Sequence, residues 1–501
     1  MKRVVALVLL LITLLVPSAC TQPSTGAGSG HADEALVTLD GTPVSPAELE
    51  AFIEQVMEKA NVAGLSVAII NDGQVAYTHA FGFRDKAAGT PFDTETVTGA
   101  ASLSKTVFAY LVMLLAEEGV IDLDKPLQAY LSKPLPDYRA YADLAGDERY
   151  TQITARMVLS HSTGFPNWRW LEPGGRLKFL FAPGTRFSYS GEGIDLLQMV
   201  VEEITGHDLE TLARQRVFEP LGMTRTSYSW QEAFDANAAR PHDEFGRSQR
   251  LPRRSKPDAA GSMVTTAGDY ARLLAAILKA TGQRKATVDE MLQPQITISY
   301  EQMFGPGAGQ DTNRDHDIHL AWGLGWGRFD TEQGRAFFHT GHDIGYQNYT
   351  VTYADRGIGI VLLSNSDNFE SVAAEIVRAA IGDRDSPFDW LGYVPFDPAK
   401  VKTPLPDPVA IDVDPAILQA YVGVYELNAD TSVVLHFRVE DGKLYSSSDG
   451  QQWDHVYAES ETRFFGQGDD TRVEFVKDAA GQVTGLNLEM QGLVLPARKV
   501  R

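Results

Sequence analysis

The sequence predicts an α+β fold, an antiparallel sheet plus a helical lobe, followed by a small all-β barrel. Three observations carry this. Helical patterns fill the middle of the first 390 residues and strand patterns lie at both ends, as when one sheet is built from both ends of a domain. The segment Leu103 to Glu118 is apolar almost all round, which marks a buried helix. Beyond a proline-rich stretch, short alternating segments recur near Tyr421, Val433, Leu444, Trp453, Phe464, Val473 and Leu486, the spacing of a small barrel or sandwich. At 501 residues the chain is too long for one compact core, so two domains are expected.

Five segments follow from this reading: a signal peptide (1–20), a flexible tether (21–44), the α+β domain (45–390), a linker (391–412) and the barrel (413–501). Lys2 and Arg3 precede an apolar run, Val4 to Val16, that is too short to span a bilayer and has the layout of an export signal. Cys20, the single cysteine, follows at once. Its placement resembles the bacterial lipobox, whose cysteine is lipidated, although Pro17 stands where leucine is usual. Ordinary cleavage after Ala19 with plain secretion is the rival reading. Thr21 to Ala35 is rich in Ser, Gly, Thr and Ala, hence the tether.

Ser45-Pro46-Ala47-Glu48 opens the first domain with a capping box, and a helix runs on through Phe52, Val56 and Met57. Leu65–Ile70 and Gln74–Gly82 flank Asn71-Asp72-Gly73, a hairpin signal. Gly119 is a stop for the buried helix. Ile153–Ser160, Asp195–Thr205 and Ala267–Leu278 carry helical spacing. Phe337–Thr340, Tyr346–Tyr353 and Ile358–Ser364 read as strands, with a turn at Ala354-Asp355-Arg356-Gly357. Pro395, Pro398, Pro404, Pro406 and Pro408 mark the linker.

The formal charge of −22 argues against nucleic acid or an anionic membrane surface as a main partner. The chain is 44% hydrophobic and so globular. No cofactor is required by any motif, and the only membrane attachment expected is a lipid at Cys20.

The chemistry centres on Ser102-Leu103-Ser104-Lys105. Positions i and i+3 share one helix face, which brings the Ser102 hydroxyl to the Lys105 amine. A serine needs a nearby base to act as a nucleophile, and burial disfavours the charged form of a lysine. At a helix N-terminus, free N–H groups and the dipole favour a developing oxyanion. A chain of this length carries roughly one S-x-x-K by chance, so context decides. Tyr189-Ser190-Gly191 and His339-Thr340-Gly341 supply it.

Taken in order, these three elements resemble the serine β-lactamase and penicillin-binding-protein family, over roughly Ala47 to Ile381. Met157 to Gly164, Val217 to Met223 and Gly261 to Asp269 look familial too, as scaffold. The resemblance implies a β-lactamase/transpeptidase-like fold, with Ser102 as nucleophile and Lys105 and Tyr189 as its base system. It places His339, Thr340 and Gly341 against the substrate and makes the N–H groups of Ser102 and His342 the oxyanion hole. Two departures bear on substrate. Gly191 replaces the asparagine that holds the acyl-side amide. His339 replaces a lysine, and an ordinary histidine is charged mainly below about pH 6.5. The first weakens the case for amide and β-lactam recognition, and the second tilts the expectation to short esters or D-amino-acid amides and peptides without a leaving-side carboxylate. The alternatives are a β-lactamase or D-Ala-D-Ala carboxypeptidase, and a non-catalytic cell-wall-binding protein. The tract Leu418 to Tyr425 resembles the opening of lipocalin-like barrels appended to some such hydrolases.

Two rivals remain in the residues. Ser162 beside His161 sits in no G-x-S-x-G elbow. His316, His319, His339 and His342 could suggest a metallohydrolase, but no H-E-x-x-H accompanies them, and no metal is expected. Trp322 and Trp326 could line a pocket or pack the sheet.

Overall fold

The computed structural model describes residues 36–172, 174–403, 408–428, 434–448, 450, 453–466, 471–490 and 493–501. The expected signal, Cys20 and most of the tether lie outside the described residues. Among those described, no helix is long and apolar enough to cross a membrane.

A nine-stranded antiparallel sheet forms the body. Its centre pairs Gly64–Asn71 from the start of the domain with Ile358–Ser364 from its end, and Tyr346–Tyr353 and Gly334–Asp343 follow outward. The complete burial of 64–71, 346–353 and 358–364 places this centre between two layers. One is the helical lobe around Ser104–Glu117, whose first twelve residues are all buried. The other is the pair Pro46–Ala60 and Glu370–Ile381. Ser45 caps the first helix by accepting from Glu48 N, with Pro46 at its start. In the hairpin, Asp72 and Gly73 both take positive φ (49° and 68°), the geometry that a two-residue turn requires.

In the first domain the expected helices and strands are present, with their ends moved by a few residues. The helix read from Asp195 begins at Gly191, where Ser190 caps it through Gly193 N. Residues 36–44, expected within the tether, are docked on the domain instead. Leu36–Val37 pairs with Pro43–Val44, Leu36 and Leu39 are buried, and Leu39 N bonds to Ile381 O at 2.9 Å. The linker is docked at its start, because Leu391 and Tyr393 are buried against the sheet.

Beyond it, eight antiparallel strands from Gly423–Leu427 to Leu493–Lys499 close into a barrel. The segment near Tyr421 is not a strand. Pro415–Tyr421 is a short helix capped by Asp414, and Tyr421 stacks on Phe475 inside the barrel core with ring centroids 4.0 Å apart.

Candidate active site

Ser102 sits in a 3-10 turn, Ala101–Leu103, that leads into the buried helix Ser104–Glu117. The residue before it, Ala101, holds φ at +48°. A non-glycine residue there stores about 1 kcal/mol or more. The neighbours enforce it. Ala100 N donates to Met263 O (2.8 Å), Ser104 Oγ donates to Ala101 O (2.5 Å), and Met263 N donates to Ser104 Oγ (3.1 Å). The turn is thus pinned to the 258–264 loop, and the serine is presented at the head of the helix.

Lys105 is 1% exposed, and its Nζ donates to Ser102 Oγ at 3.0 Å and to Ala260 O at 2.5 Å. Burial lowers its pKa from 10.5 to about 8, against the opposing pull of Asp258 and Asp195. Net, the site destabilises the ammonium by about 3 kcal/mol. The two acids are linked. Burial first, then the Asp258 and Glu192 charges, pushes the Asp195 carboxyl well above the usual range. Its Oδ1 is enclosed without a partner, and Asp258 Oδ1 accepts from Ala260 N (2.7 Å).

Tyr189 is 5% exposed and its ring lies 5.1 Å from Lys105 Nζ. Its hydroxyl is buried beside the Ser102 hydroxyl, without a well-formed hydrogen bond to it. Burial raises its pKa and the Ser102 hydroxyl lowers it in part, so the phenol holds its proton beside the serine. His161 positions this tyrosine. Its ring packs 4.2 Å from the Tyr189 ring, and its Nδ1 accepts from Ser190 N at 3.1 Å. In the sequence this histidine reads only as scaffold. Its neighbour Ser162 bonds Ser160 Oγ at 3.0 Å in the interior, whereas the Lys105 amine bonds Ser102 and Ala260 O.

Strand Gly334–Asp343 runs beside the nucleophile turn. A Cβ at Gly341 would lie 2.5 Å from Ala100 O, so glycine permits the close approach of this strand to the turn that carries Ser102. His339 is fully buried, with its ring 6.0 Å from Tyr189 and 5.5 Å from Trp322. Burial, then the Lys105 charge, lowers its pKa to about 3. This corrects the expectation of a charge gained near pH 6.5: the ring is neutral throughout the working range. Nδ1 faces Thr340 O at 2.6 Å and must carry the proton, which leaves Nε2 as a bare, unpartnered acceptor.

Thr340 departs from the expected substrate role. Its side chain alternates to the other face, where its hydroxyl bonds Tyr393 Oη and Asn348 O. Asn348, which the sequence did not suggest, also donates to Gly99 O (3.0 Å) and so ties the sheet to the segment before Ser102. His342 turns outward to Glu370 (2.9 Å), which raises its pKa. Of the two tryptophans, Trp322 packs on His161 and Tyr189, and Trp326 packs on Phe337. Among the described residues, no group of three or more His, Cys, Asp or Glu is arranged to hold a metal ion.

The family described as Beta-lactamase matches residues 49–383, and a domain of unknown function, DUF3471, matches 407–497. Penicillin-binding protein 4* of Bacillus subtilis is 24% identical over 86% of this chain and 94% of its own length. Esterase EstB of Burkholderia gladioli is 27% identical over 38% of this chain and 53% of its own. A D-aminopeptidase of Brucella anthropi is 32% identical over 35% of each chain.

Proposed function

The chain belongs to the β-lactamase family, and on that premise we propose that it is an exported serine hydrolase. It acts by acyl transfer through a covalent Ser102 ester, on esters or D-amino-acid amides and peptides. The observation that carries this is the 3.0 Å contact between Ser102 Oγ and a lysine amine whose pKa burial has brought to about 8. At pH 7 about a tenth of such an amine is neutral, enough to serve as a general base.

In this reading, neutral Lys105 Nζ takes the Ser102 proton as Oγ bonds to the carbonyl carbon. The Ser102 and His342 N–H groups hold the oxyanion. The proton passes through the Tyr189 hydroxyl to the leaving group as its bond to carbon breaks. Water then attacks the acyl ester and gives its proton to the same pair. The acid departs, and Ser102 regains its hydrogen. The protonated Tyr189 and the neutral Lys105 suit a relay of one proton.

The neutral His339 favours substrates without a carboxylate on the leaving-group side, which weighs against penicillins and D-Ala-D-Ala peptides. The relatives named esterase and D-aminopeptidase agree with that choice. The penicillin-binding relative keeps the second reading, a β-lactamase or D-Ala-D-Ala carboxypeptidase, in play. Export, with a lipid on Cys20 at the periplasmic or cell surface, is part of the proposal and rests on the N-terminal residues alone.

A fluorophosphonate label should map to Ser102, and turnover of p-nitrophenyl esters should cease in Ser102→Ala. Lys105→Ala and Tyr189→Phe should each cost about three orders of magnitude or more, non-additively. An unlabelled Ser102, with no ester or amide turned over, would leave the non-catalytic cell-wall-binding reading.

A further inference from the structure

A tryptophan occupies the place that Gly191 vacates. A Cβ built on Gly191 would lie 2.3, 2.5 and 2.6 Å from three benzo-ring carbons of Trp168. No side chain other than hydrogen fits there while the indole stays. Gly191 and Trp168 are therefore reciprocal: the loss of one side chain admits the other.

The indole is held from several sides. Trp170 stacks on it, with centroids 4.6 Å apart and planes 11° apart. Between them, Arg169 forms a paired contact with Glu192, which is 5% exposed in its side chain (Nε–Oε1 2.9 Å, Nη2–Oε2 2.6 Å). Arg169 N donates to Glu192 Oε1 as well (2.9 Å). The N–H groups of Gly191 and Glu192 donate to Asn167 O at 3.1 Å, and Gly191 N also reaches Asn167 Oδ1. Such a network fixes a loop in one position. The ring borders the reacting groups, because Lys105 Nζ, 3.0 Å from Ser102 Oγ, lies 5.9 Å from the Trp168 centroid.

We infer that Trp168 is the acyl-side wall of the site and selects an apolar acyl chain over one that carries an amide. This rests on the hydrolase reading above. An acyl amide laid along this wall meets hydrocarbon and loses its water without a partner. A hydrocarbon chain of the same shape loses nothing polar and gains contact with the ring.

The test uses two isosteric esters, p-nitrophenyl 4-methylpentanoate and p-nitrophenyl N-acetylglycinate, on the full chain. Rates are normalised to the Ser102 titre from fluorophosphonate labelling, so that misfolded protein is not counted. The wild type should prefer the apolar ester by about tenfold or more in kcat/KM. Trp168→Ala should erase most of that preference. Gly191→Ala should reproduce the effect by displacing the indole, yet add nothing in the Trp168→Ala background, a coupling that reports contact. Trp168→Phe should retain part of the preference. If Ser102 labels and the preference is the same in wild type and Trp168→Ala, the acyl-wall inference is overturned and the hydrolase reading stands. Additive effects of Gly191→Ala and Trp168→Ala would also overturn it. If wild-type Ser102 does not label and neither ester is cleaved, the hydrolase reading fails and the inference falls with it.

Discussion

The pH dependence of acylation should belong to Lys105, and the buried acids behind it give a way to move it. Burial takes this amine from 10.5 to about 8, while Asp258 and Asp195 hold it up. A base works in its deprotonated form. The value of kcat/KM for a neutral ester should therefore fall about tenfold per pH unit below an inflection near 8. Replacing both acids, Asp195→Asn with Asp258→Asn, removes the Asp258 charge that stabilises the ammonium and prevents Asp195 from taking up a charge in its place. The amide oxygen introduced at position 258 can still accept from Ala260 N, so the loop keeps its bond. A single replacement is less clean, because Asp258 is part of what keeps Asp195 protonated. The inflection should move down by on the order of one unit. At about pH 6 the double variant should then run several-fold to about tenfold closer to its own plateau than the wild type does. Other groups do not confuse the reading. Tyr189 keeps its proton and His339 its neutrality in this range. His342, raised by Glu370, titrates alike in both proteins. Profiles of kcat/KM from about pH 5 to about pH 10 decide the matter. An inflection that stays in place or rises would refute Lys105 as the base.

Replacing His339 by lysine should raise activity on carboxylate-bearing substrates relative to neutral esters. The site resists this second cation: the shift of His339 from 6.5 to about 3 corresponds to about 5 kcal/mol against charge. The Lys105 inflection should therefore fall in the same variant, and an unchanged substrate ratio would refute the role given to position 339. Exhaustive chelation should leave full activity, and a loss that zinc restores would move the chemistry to the histidines. The mature chain should begin at Cys20 and partition into detergent, whereas Cys20→Ser should give a soluble or unprocessed form. Intact mass of a mature wild-type chain with a bare Cys20 would rule out the lipid.

What was legible in the sequence follows the range of the interaction that makes it. Ser102 and Lys105 are three residues apart, and helix geometry alone joins them. The hairpin at Asp72-Gly73 and the cap at Ser45 are equally local. The orientation of Thr340 was within reach as well. If His339 faces the site, strand alternation sends the next side chain to the other face, where Tyr393 and Asn348 O take the hydroxyl. The Asp414-Pro415 pair carried a helix start that the alternating pattern around Tyr421 concealed. The charge of His339 was not legible, because its neutrality comes from burial and from a lysine 234 positions away, and no local pattern reports either. The same holds for His161 under Tyr189 and for Asp195 with Asp258.

These hidden terms point one way. The surroundings disfavour charge: His339 is neutral, Tyr189 is protonated, and burial loosens the proton of Lys105. An indole fills the volume where the resemblance would place an amide. A charged or amide-rich substrate would have to give up water to such surroundings with few groups to replace it, which costs more than the modest gain of a hydrogen bond. A neutral ester with an apolar acyl chain gives up little, which favours the ester half of the proposed range over D-amino-acid amides, whose ammonium lies on the acyl side. Such an ester still meets the two polar features the site retains for reaction, the Ser102–Lys105 pair and the backbone N–H groups at the head of the helix, so low polarity elsewhere concentrates the electrostatic work on the scissile carbonyl.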